Sequence, residues 1–221
     1  MVLVDVLDEV KSVAATLPSP RGQAEGHVVD VTDEDAVAAL IADLHKRLGR
    51  IDVLVNNAGI HPKHPERRYY KFDEIPRADW NRVLDINLTA PFTLCRLVLP
   101  IMRAQRWGRI INIASRAGRM YTGSAGAHYA ASKFGMLGLT RVIAGEYGPD
   151  GITCNSIAPG ATASPMSQAS GETIQKIVAA SPVRRMGTPE ELGATVAFLA
   201  SEESGYINGA ILDFNGGTFM P

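Results

Sequence analysis

The stretch Ile51-Asp-Val-Leu-Val-Asn-Asn-Ala-Gly59 places a short apolar run directly before two asparagines and a glycine. The run predicts a buried strand over 51–55, and Asn and Gly both tolerate the positive φ of a turn after it. A second apolar run, 109–113, is followed closely by Ser115. Ligands of open α/β sheets bind beyond the carboxyl ends of the strands, so these two strand ends predict a binding site. Taken alone, each is also explained as an ordinary turn, with Ser115 capping the second one.

Apolar runs and helical patterns alternate along the whole chain. The other predicted strands are 2–4, 27–31, 152–157 and 210–214. The predicted helices are 8–17, 33–48, 78–105, 125–147 and 189–200, with a loop and a short helix over 159–180. Thr32 and Thr188 are the expected N-caps, and Gly49 is expected to end the second helix. Because the strands are continuous apolar runs separated by helices, the sequence predicts an α/β fold with a parallel sheet covered on both faces, in a single domain over 1–221.

The composition is that of an ordinary globular protein: 221 residues, 46% hydrophobic, 20% charged, with a net charge of -1. This balance gives no general electrostatic reason to expect nucleic acid or an anionic membrane as a partner. Cys95 and Cys154 lie in apolar runs, which predicts buried reduced thiols in a cytosolic protein. No Cys/His cluster has the spacing of a zinc site, so no metal is expected.

The N-terminus and the apolar stretches predict a cytoplasmic protein. The start, Met1 to Asp5, has no basic region and its apolar run breaks at Asp5, so no signal peptide is expected. The longest apolar stretch, 88–102, contains Arg96 and is not expected to cross a bilayer.

The segment Tyr129-Ala-Ala-Ser-Lys133 carries the most chemical information. Residues four apart on a helix share a face, so the phenol and the ammonium are expected to point the same way. A nearby lysine cation favours the phenolate and is expected to lower the pKa of Tyr129. Such a pair can move a proton to or from an alcohol while a nicotinamide cofactor moves the hydride. The five residues alone also fit a helix with an exposed Tyr and an exposed Lys.

Together these pieces resemble the short-chain dehydrogenase/reductase family over essentially the whole chain. The resemblance is carried by Asn56-Asn57-Ala58-Gly59, Asn87, Ser115, Tyr129-Ala-Ala-Ser-Lys133, Pro159-Gly160 and the closing segment 213–217. Each piece is common alone, whereas their order and spacing together are specific. The resemblance implies a Rossmann-type doubly wound parallel sheet. It is greatest to bacterial 3-oxoacyl-carrier-protein reductases and to the sugar-alcohol and cyclic-alcohol dehydrogenases near them.

The resemblance also implies a role for each matching residue. Tyr129 would be the general acid/base, and Lys133 would modulate its pKa and bind the nicotinamide ribose. Ser115 would orient the substrate, and Asn87 would support a water relay to the lysine; without the resemblance, a solvated helical asparagine would be the simpler interpretation. The other implied cofactor contacts are Asp30 and Val31 at the adenine ring, Asn57, Ala58 and Gly59, and Pro159, Gly160 and Thr162 at the nicotinamide, with Ser164 where the family often has Thr.

Asp5 decides which cofactor is expected. An acid at the end of this strand can accept hydrogen bonds from the adenosine ribose hydroxyls and would repel the extra phosphate of NADP. The next residue is Val6 rather than an arginine. NAD is therefore favoured over NADP, although a strand-end helix cap is the alternative role for Asp5.

Family members begin with a strand and a turn of the form T-G-x-x-x-G-x-G, and neither precedes the run that starts at Val2. That turn supplies the backbone N–H groups and the helix N-terminus that hold pyrophosphate, so weak or absent NAD binding is expected. The strand is central in the family sheet, and its loss would leave ladder groups and apolar surface uncovered. A start codon assigned too late, a genuinely shortened product and a degenerate protein with another role all remain possible explanations. The first is favoured because the matching catalytic positions are intact.

Two functions remain open. The leading hypothesis is reversible hydride transfer between NAD(H) and a secondary alcohol or ketone, a small-molecule substrate. The alternative is a truncated paralogue that serves only as an oligomerisation or binding partner.

The resemblance implies a homodimer or homotetramer, paired through the long helices after 78 and after 125. Small residues in the second helix would allow close approach, unless they face the core: Ala130, Ala131, Gly135, Gly138 and Ala144.

The basic loop 61–70 could meet an acidic substrate or carrier but is expected to be solvated. Residues 166–173 are expected to belong to a mobile substrate lid, and His128 is expected to be structural.

Overall fold

The computed structural model describes residues 1–18, 24–66, 68–163 and 171–221, with no side chains described for 171–173. Within these ranges the chain divides into two compact units, Met1–Gly49 and Arg50–Pro221. Ser164 and residues 166–170 of the expected lid lie outside the described residues. The interpretation as a single domain stays a prediction.

The first unit is a small parallel α/β arrangement. Strands β1 (Val2–Asp5) and β2 (Glu25–Val28) pair in parallel. Helices α1 (Glu9–Thr16) and α2 (Glu34–Leu48) follow them. The buried apolar side chains of the two helices are Val10, Ala14, Val37, Ile41 and Leu44. At Gly26 a Cβ would collide with the backbone of α1, so this glycine permits the close packing of α1 on β2.

Three predictions for the first unit need correction. The cap of α2 is Asp33 rather than Thr32, because the Asp33 side chain accepts a hydrogen bond from the backbone N–H of Ala36 at 3.0 Å. Strand β2 ends at Val28 rather than 31. Strand β1 is not buried, since Val4 is 38% exposed. Gly49 ends α2 as predicted, with a positive φ of 75°.

The second unit holds a four-stranded sheet in which all neighbours are parallel. Its strands, in spatial as well as chain order, are β3 (Val53–Asn56), β4 (Gly108–Ile113), β5 (Ile152–Pro159) and β6 (Ile211–Phe214). Its helices are α3 (Arg77–Leu84), α4 (Ala90–Gln105), α5 (Ala127–Tyr147), α6 (Gly171–Ala180) and α7 (Pro189–Leu199). Thr188 caps α7 in a reciprocal capping box with Glu191, as predicted.

Helices cover both faces of this sheet. On one face Ile111, Ile113 and Ile157 pack against Leu199 of α7. Alternate residues of β4 point to the other face, where Asn112 bonds to Thr140 of α5. Strands β4 and β5 are buried along their length, except for the half-buried last residue of β5. The α/β class and the two covered faces are thus confirmed for the second unit.

Strand β3 departs from the prediction of a buried strand over 51–55. It starts at Val53 and continues to Asn56, which lies opposite Asn112 in the ladder. Val53 and Val55 are each 38% exposed. In the described part of this unit β3 pairs with β4 alone, so its other edge carries no ladder partner there.

The helix predicted over 78–105 is interrupted by a π-helical turn, Asp85–Thr89, between α3 and α4. By length and composition, Arg77–Gln105 is long and apolar enough to cross a membrane, contrary to the sequence prediction. Core helices pass the same test, and α4 buries Val98, Leu99 and Met102.

Candidate active site

Tyr129 and Lys133 lie one turn apart near the start of α5, as predicted. Lys133 is 3% exposed, and its ammonium donates a hydrogen bond to the carbonyl oxygen of Ile113 at 2.8 Å. The Nζ atom lies 5.8 Å from the centroid of the Tyr129 ring. Burial lowers the pKa of Lys133 to about 8. The amine is thereby fixed at the carboxyl end of β4 and titrates within reach of neutral pH.

The electrostatic balance at Tyr129 is the opposite of the prediction. Burial is the largest influence and raises the pKa of the phenol, with a smaller contribution in the same direction from Tyr69. A side-chain hydrogen bond with Ser115 opposes this and favours the phenolate. Desolvation prevails over the hydrogen bond from Ser115, and the Lys133 ammonium is directed at a carbonyl oxygen rather than at the phenol.

Ser115 combines both interpretations given to it from sequence. It follows β4 in an extended conformation, and its Oγ accepts a hydrogen bond from the backbone N–H of Ala117 at 3.1 Å. This bond caps a single 3₁₀ turn, Arg116–Gly118. The same side chain also hydrogen-bonds Tyr129. The local cap therefore holds the hydroxyl where it meets the phenol.

Asn87 lies in the π-helical turn and is fully buried, so the solvated alternative is wrong. Its Oδ1 accepts from the Ile60 N–H at 2.8 Å and its Nδ2 donates to the Ile60 carbonyl at 2.9 Å. Its Nδ2 also reaches the hydroxyl of Ser132 at 3.2 Å. A Cβ added at Gly59 would lie 3.3 Å from Asn87 Oδ1 and 3.4 Å from Lys133 Nζ. The turn after β3 therefore comes close to both side chains, and glycine leaves that space open.

A buried polar chain beneath the site was missed from sequence. Asn56 donates to the Oδ1 of Asn112 at 2.7 Å, and Asn112 donates to the hydroxyl of Thr140 at 2.8 Å. That hydroxyl lies 2.7 Å from the hydroxyl of Ser156. The chain links β3, β4 and β5 to α5, and all four residues are buried. The available signal was the presence of asparagine or serine within three otherwise apolar strands.

His61 is a further neighbour of Tyr129 that sequence reasoning missed. Its imidazole stacks on the Tyr129 ring with centroids 4.1 Å apart and planes 18° from parallel. Tyr69 stacks on the opposite face of the His61 imidazole, with centroids 4.8 Å apart and planes 21° from parallel. The expectation of a solvated basic loop over 61–70 holds at the exposed Lys63, but the rings of His61, Tyr69 and Tyr70 are partly buried. Residue 67 lies outside the described residues. His128 is fully buried, with its Nδ1 bonded to the backbone N–H of Tyr129 at 2.9 Å.

The remaining predicted cofactor residues of the second unit lie at strand ends. Asn57 and Ala58 are exposed just beyond β3. Pro159 ends β5, and the Gly160 N–H donates to the carbonyl of Phe214 at 2.8 Å. Thr162 forms an isolated parallel bridge with Gly187.

The predicted residues of the first unit lie after its two strands. Asp5 ends β1 and is exposed, and its Oδ1 accepts from the Leu7 N–H at 3.0 Å in a local turn. Asp30 accepts from both the N–H and the hydroxyl of Thr32, at 2.9 and 2.7 Å. Val31 is half-buried.

The five small residues of α5 do not form one surface stripe. Ala131 and Gly138 are exposed, Ala130 and Gly135 are half-buried, and Ala144 is buried. Cys95 and Cys154 are buried free thiols, as predicted.

Known proteins resemble this chain along nearly all of its length. A family model described as Enoyl-(Acyl carrier protein) reductase matches residues 1–218. Nodulation protein G of Azospirillum brasilense is 40% identical over 196 residues, which are 88% of this chain and 75% of that protein. The 3-oxoacyl-[acyl-carrier-protein] reductase FabG of Thermotoga maritima is 35% identical over 212 residues, 96% of this chain and 82% of the relative.

Solved structures show the same relationship. A 3-oxoacyl-[acyl-carrier protein] reductase from Brucella melitensis with bound NAD superposes with a TM-score of 0.83 at 38% identity, covering 90% of this chain and 73% of that one. Levodione reductase superposes with a TM-score of 0.87 at 35% identity, and the match covers 98% of this chain and 86% of levodione reductase. With the parallel sheet, the Tyr129–Lys133 helix and these matches together, the chain belongs to the short-chain dehydrogenase/reductase family of NAD(P)-linked oxidoreductases.

Proposed function

We propose that this protein interconverts a secondary alcohol and a ketone with NAD(H). The observation that carries the proposal is the meeting of three groups at the carboxyl end of β4: the Tyr129 phenol, the Ser115 hydroxyl bonded to it, and the Lys133 ammonium. A general acid, a hydrogen-bond donor for the reacting oxygen and a neighbouring cation are what carbonyl reduction requires of a protein.

Tyr129 carries the proton in the proposed reaction. In the reductive direction its phenol donates a proton to the carbonyl oxygen of the substrate as the carbonyl carbon accepts a hydride. In the oxidative direction the phenolate takes that proton back from the alcohol. Ser115 donates a hydrogen bond to the same oxygen and stabilises the negative charge that develops on it. Bound NAD(H) supplies or accepts the hydride.

Lys133 and Asn87 support the phenol. The Lys133 ammonium offers two further N–H donors beyond the one directed at Ile113, which suit the hydroxyls of the nicotinamide ribose. Asn87 fixes Ile60, and so holds the turn after β3 beside the amine. We assign Asn87 to a water relay that returns protons to Lys133.

The proposed cofactor contacts are considered separately for each unit. An exposed Asp5 carboxylate suits the adenosine ribose hydroxyls and disfavours a ribose phosphate, which is why NAD is proposed over NADP. In the second unit the Cβ-free space at Gly59, beside Lys133 and Asn87, is the feature that fits a ribose and ring approaching the backbone. The full proposed set is Asp5, Asp30, Val31, Asn57, Ala58, Gly59, Tyr129, Lys133, Pro159, Gly160 and Thr162.

The relatives narrow the substrate class. Similar proteins include 3-oxoacyl-[acyl-carrier-protein] reductases, acetoacetyl-CoA reductases and a levodione reductase. We therefore propose a β-keto acyl thioester or a cyclic ketone as substrate, and a homodimer or homotetramer as the working form. A cytoplasmic location stays a prediction.

The test is direct. The purified protein is supplied with NADH or NADPH and with acetoacetyl-CoA, a cyclic diketone or a polyol, while absorbance of the reduced cofactor is followed. NADH-linked turnover that disappears in Tyr129→Phe supports the proposal. No turnover with any of these at high cofactor concentration would refute it and favour the alternative of a binding partner without activity, whereas weak calorimetric binding of NADH alone is what the sequence predicts.

A further inference from the structure

Three aromatic rings form a continuous column that ends on the phenol of the proposed active site. Tyr69 stacks on His61 at 4.8 Å with an interplanar angle of 21°, and His61 stacks on Tyr129 at 4.1 Å with an angle of 18°. The Nζ of Lys63 lies 5.7 Å from the Tyr69 centroid at one end of the column. The Nζ of Lys133 lies 5.8 Å from the Tyr129 centroid at the other. One face of the Tyr129 ring is therefore covered by an imidazole rather than by water.

The position of His61 is fixed from several sides. It follows Ile60, whose N–H and carbonyl are both bonded to the buried Asn87. The backbone N–H of Gly126, the residue before α5, donates to the His61 Nε2 at 3.4 Å. At the far end of the loop, Arg68 makes a two-pronged ion pair with Glu74 at 2.6 and 2.9 Å. The imidazole is thus anchored to the turn after β3 and to the start of α5.

His61 is neutral under physiological conditions. Burial, with smaller contributions from His128 and Lys63, lowers the pKa of His61 to about 4. Because Nε2 accepts the hydrogen bond from Gly126, the ring proton of the neutral form resides on Nδ1. A neutral aromatic ring can stack on the phenol without adding a charge beside the Lys133 ammonium.

We propose that His61 is a positioning residue for Tyr129: its stacked imidazole fixes the plane of the phenol ring and keeps water off one face of it. This inference rests on the proposed function. A tyrosine ring turns about its χ2 bond unless its faces are packed, and a turned ring moves its edge contacts although the oxygen stays near the axis. The stack therefore holds the ring edges in one orientation and maintains the high pKa that burial imposes on the phenol.

Several titratable or charged groups surround the stacked rings, and any pH effect has to be assigned among them. They are Lys133 and His128 from α5, Lys63 and Tyr69 from the loop, Ser115 as hydrogen-bond partner, and Asp79 of α3, which acts on His128. Substitutions at His61 leave all of these in place. A change in the pKa of the Tyr129 phenol would then result from removing the His61 imidazole from the face of the Tyr129 ring.

The experiment compares His61→Ala, His61→Phe and His64→Ala. Phenylalanine keeps a flat apolar ring and loses the nitrogen, while His64 is a histidine of the same loop that packs edge-on against Tyr70. The phenol of Tyr129 is titrated by ultraviolet absorbance without cofactor, as the difference between each protein and the same protein carrying Tyr129→Phe. The kcat and KM for NADH-linked reduction are measured across pH in parallel.

His61→Ala is expected to lower the pKa of the Tyr129 phenol by about one pH unit, since water reaches the exposed ring face. It is expected to reduce kcat by about tenfold or more with little change in KM, as for a misplaced general acid. His61→Phe is expected to keep the high phenol pKa and most of kcat, and His64→Ala to match the parent in both. An unmoved phenol titration in His61→Ala, or a rise in KM alone, would overturn the inference. Failure of the parent to reduce any ketone would refute the proposed function, while the phenol titration would still decide whether the stack acts as stated.

Discussion

The Lys133 ammonium donates a 2.8 Å hydrogen bond to the carbonyl oxygen of Ile113, the last residue of β4. Ser115, two residues further on, is held by the 3₁₀ turn that leaves the same strand. One strand end therefore positions both the amine and the hydroxyl near the phenol, and the geometry of the site depends on how firmly that strand end is held.

Tyr129→Phe is expected to reduce turnover by about a hundredfold or more, because it removes the only proton that the side chain can donate while keeping the ring and its stacking. Steady-state kinetics in both directions measure the loss. Calorimetric titration with NADH is expected to give the same affinity as the parent. Parent-like turnover would eliminate the assigned role.

Lys133→Met should separate stability from activity. Burial depresses the pKa of Lys133 from its ordinary 10.5 to about 8, so the folded protein carries an unfavourable charge at neutral pH. Removing it is expected to raise the free energy of unfolding at pH 7 by about 1–3 kcal/mol, offset in part by the lost bond to Ile113, while turnover disappears. Denaturant unfolding and kinetics at pH 7 test both parts.

The same pKa predicts how that stability difference changes with pH. Between about 8 and 10.5 the unfolded chain binds more protons at Lys133 than the folded chain does, so the stability of the parent rises with pH across this window. The advantage of Lys133→Met at pH 7 is therefore expected to shrink by pH 10. Unfolding curves for the pair at both pH values measure it, and a constant difference would show that folding does not lower the pKa of Lys133.

Thr140→Val is expected to destabilise the protein by about 1–3 kcal/mol, although valine has almost the same shape. The Thr140 hydroxyl is the bonded neighbour of both Asn112 and Ser156, so its removal leaves two buried polar groups short of a partner. Denaturant unfolding measures the change, with Thr89→Val at an exposed position as the control. Equal unfolding free energies for the two variants would mean that the buried chain adds nothing to stability.

Asp5→Ala is expected to narrow the preference for NADH over NADPH, because the carboxylate that would repel the ribose phosphate is gone. The ratio of kcat/KM for the two cofactors measures this. Asp8→Ala, an exposed acid three residues away, is the matched control. An unaltered ratio in Asp5→Ala would count against the choice of NAD.

The repeating pattern of the chain was sufficient to predict the four strands of the second unit to within a few residues, and the placement of Tyr129 and Lys133 on one helix, but not the π-helical turn between α3 and α4. Strands β4 and β5 are buried on both faces, and a continuous apolar run is the signal that such strands give. It could not predict the His61 stack, because a loop histidine acquires its neighbours only when distant segments meet. The predicted direction of the shift in the Tyr129 pKa was also wrong. A lysine four residues away can be read from the sequence, whereas the desolvation of the phenol cannot.

The π-helical turn Asp85–Thr89 determines which side of the following helix, α4, faces the sheet. Each residue of a helix advances it by about 100°, so a single deletion within this turn would swing the apolar side of α4 away from the sheet. The same deletion would aim the Asn87 amide away from Ile60 and release the turn after β3. An insertion or deletion in this turn would therefore disrupt both the packing of α4 on the sheet and the hydrogen bonds between Asn87 and Ile60. Point substitutions on the exposed side of the turn would leave both in place.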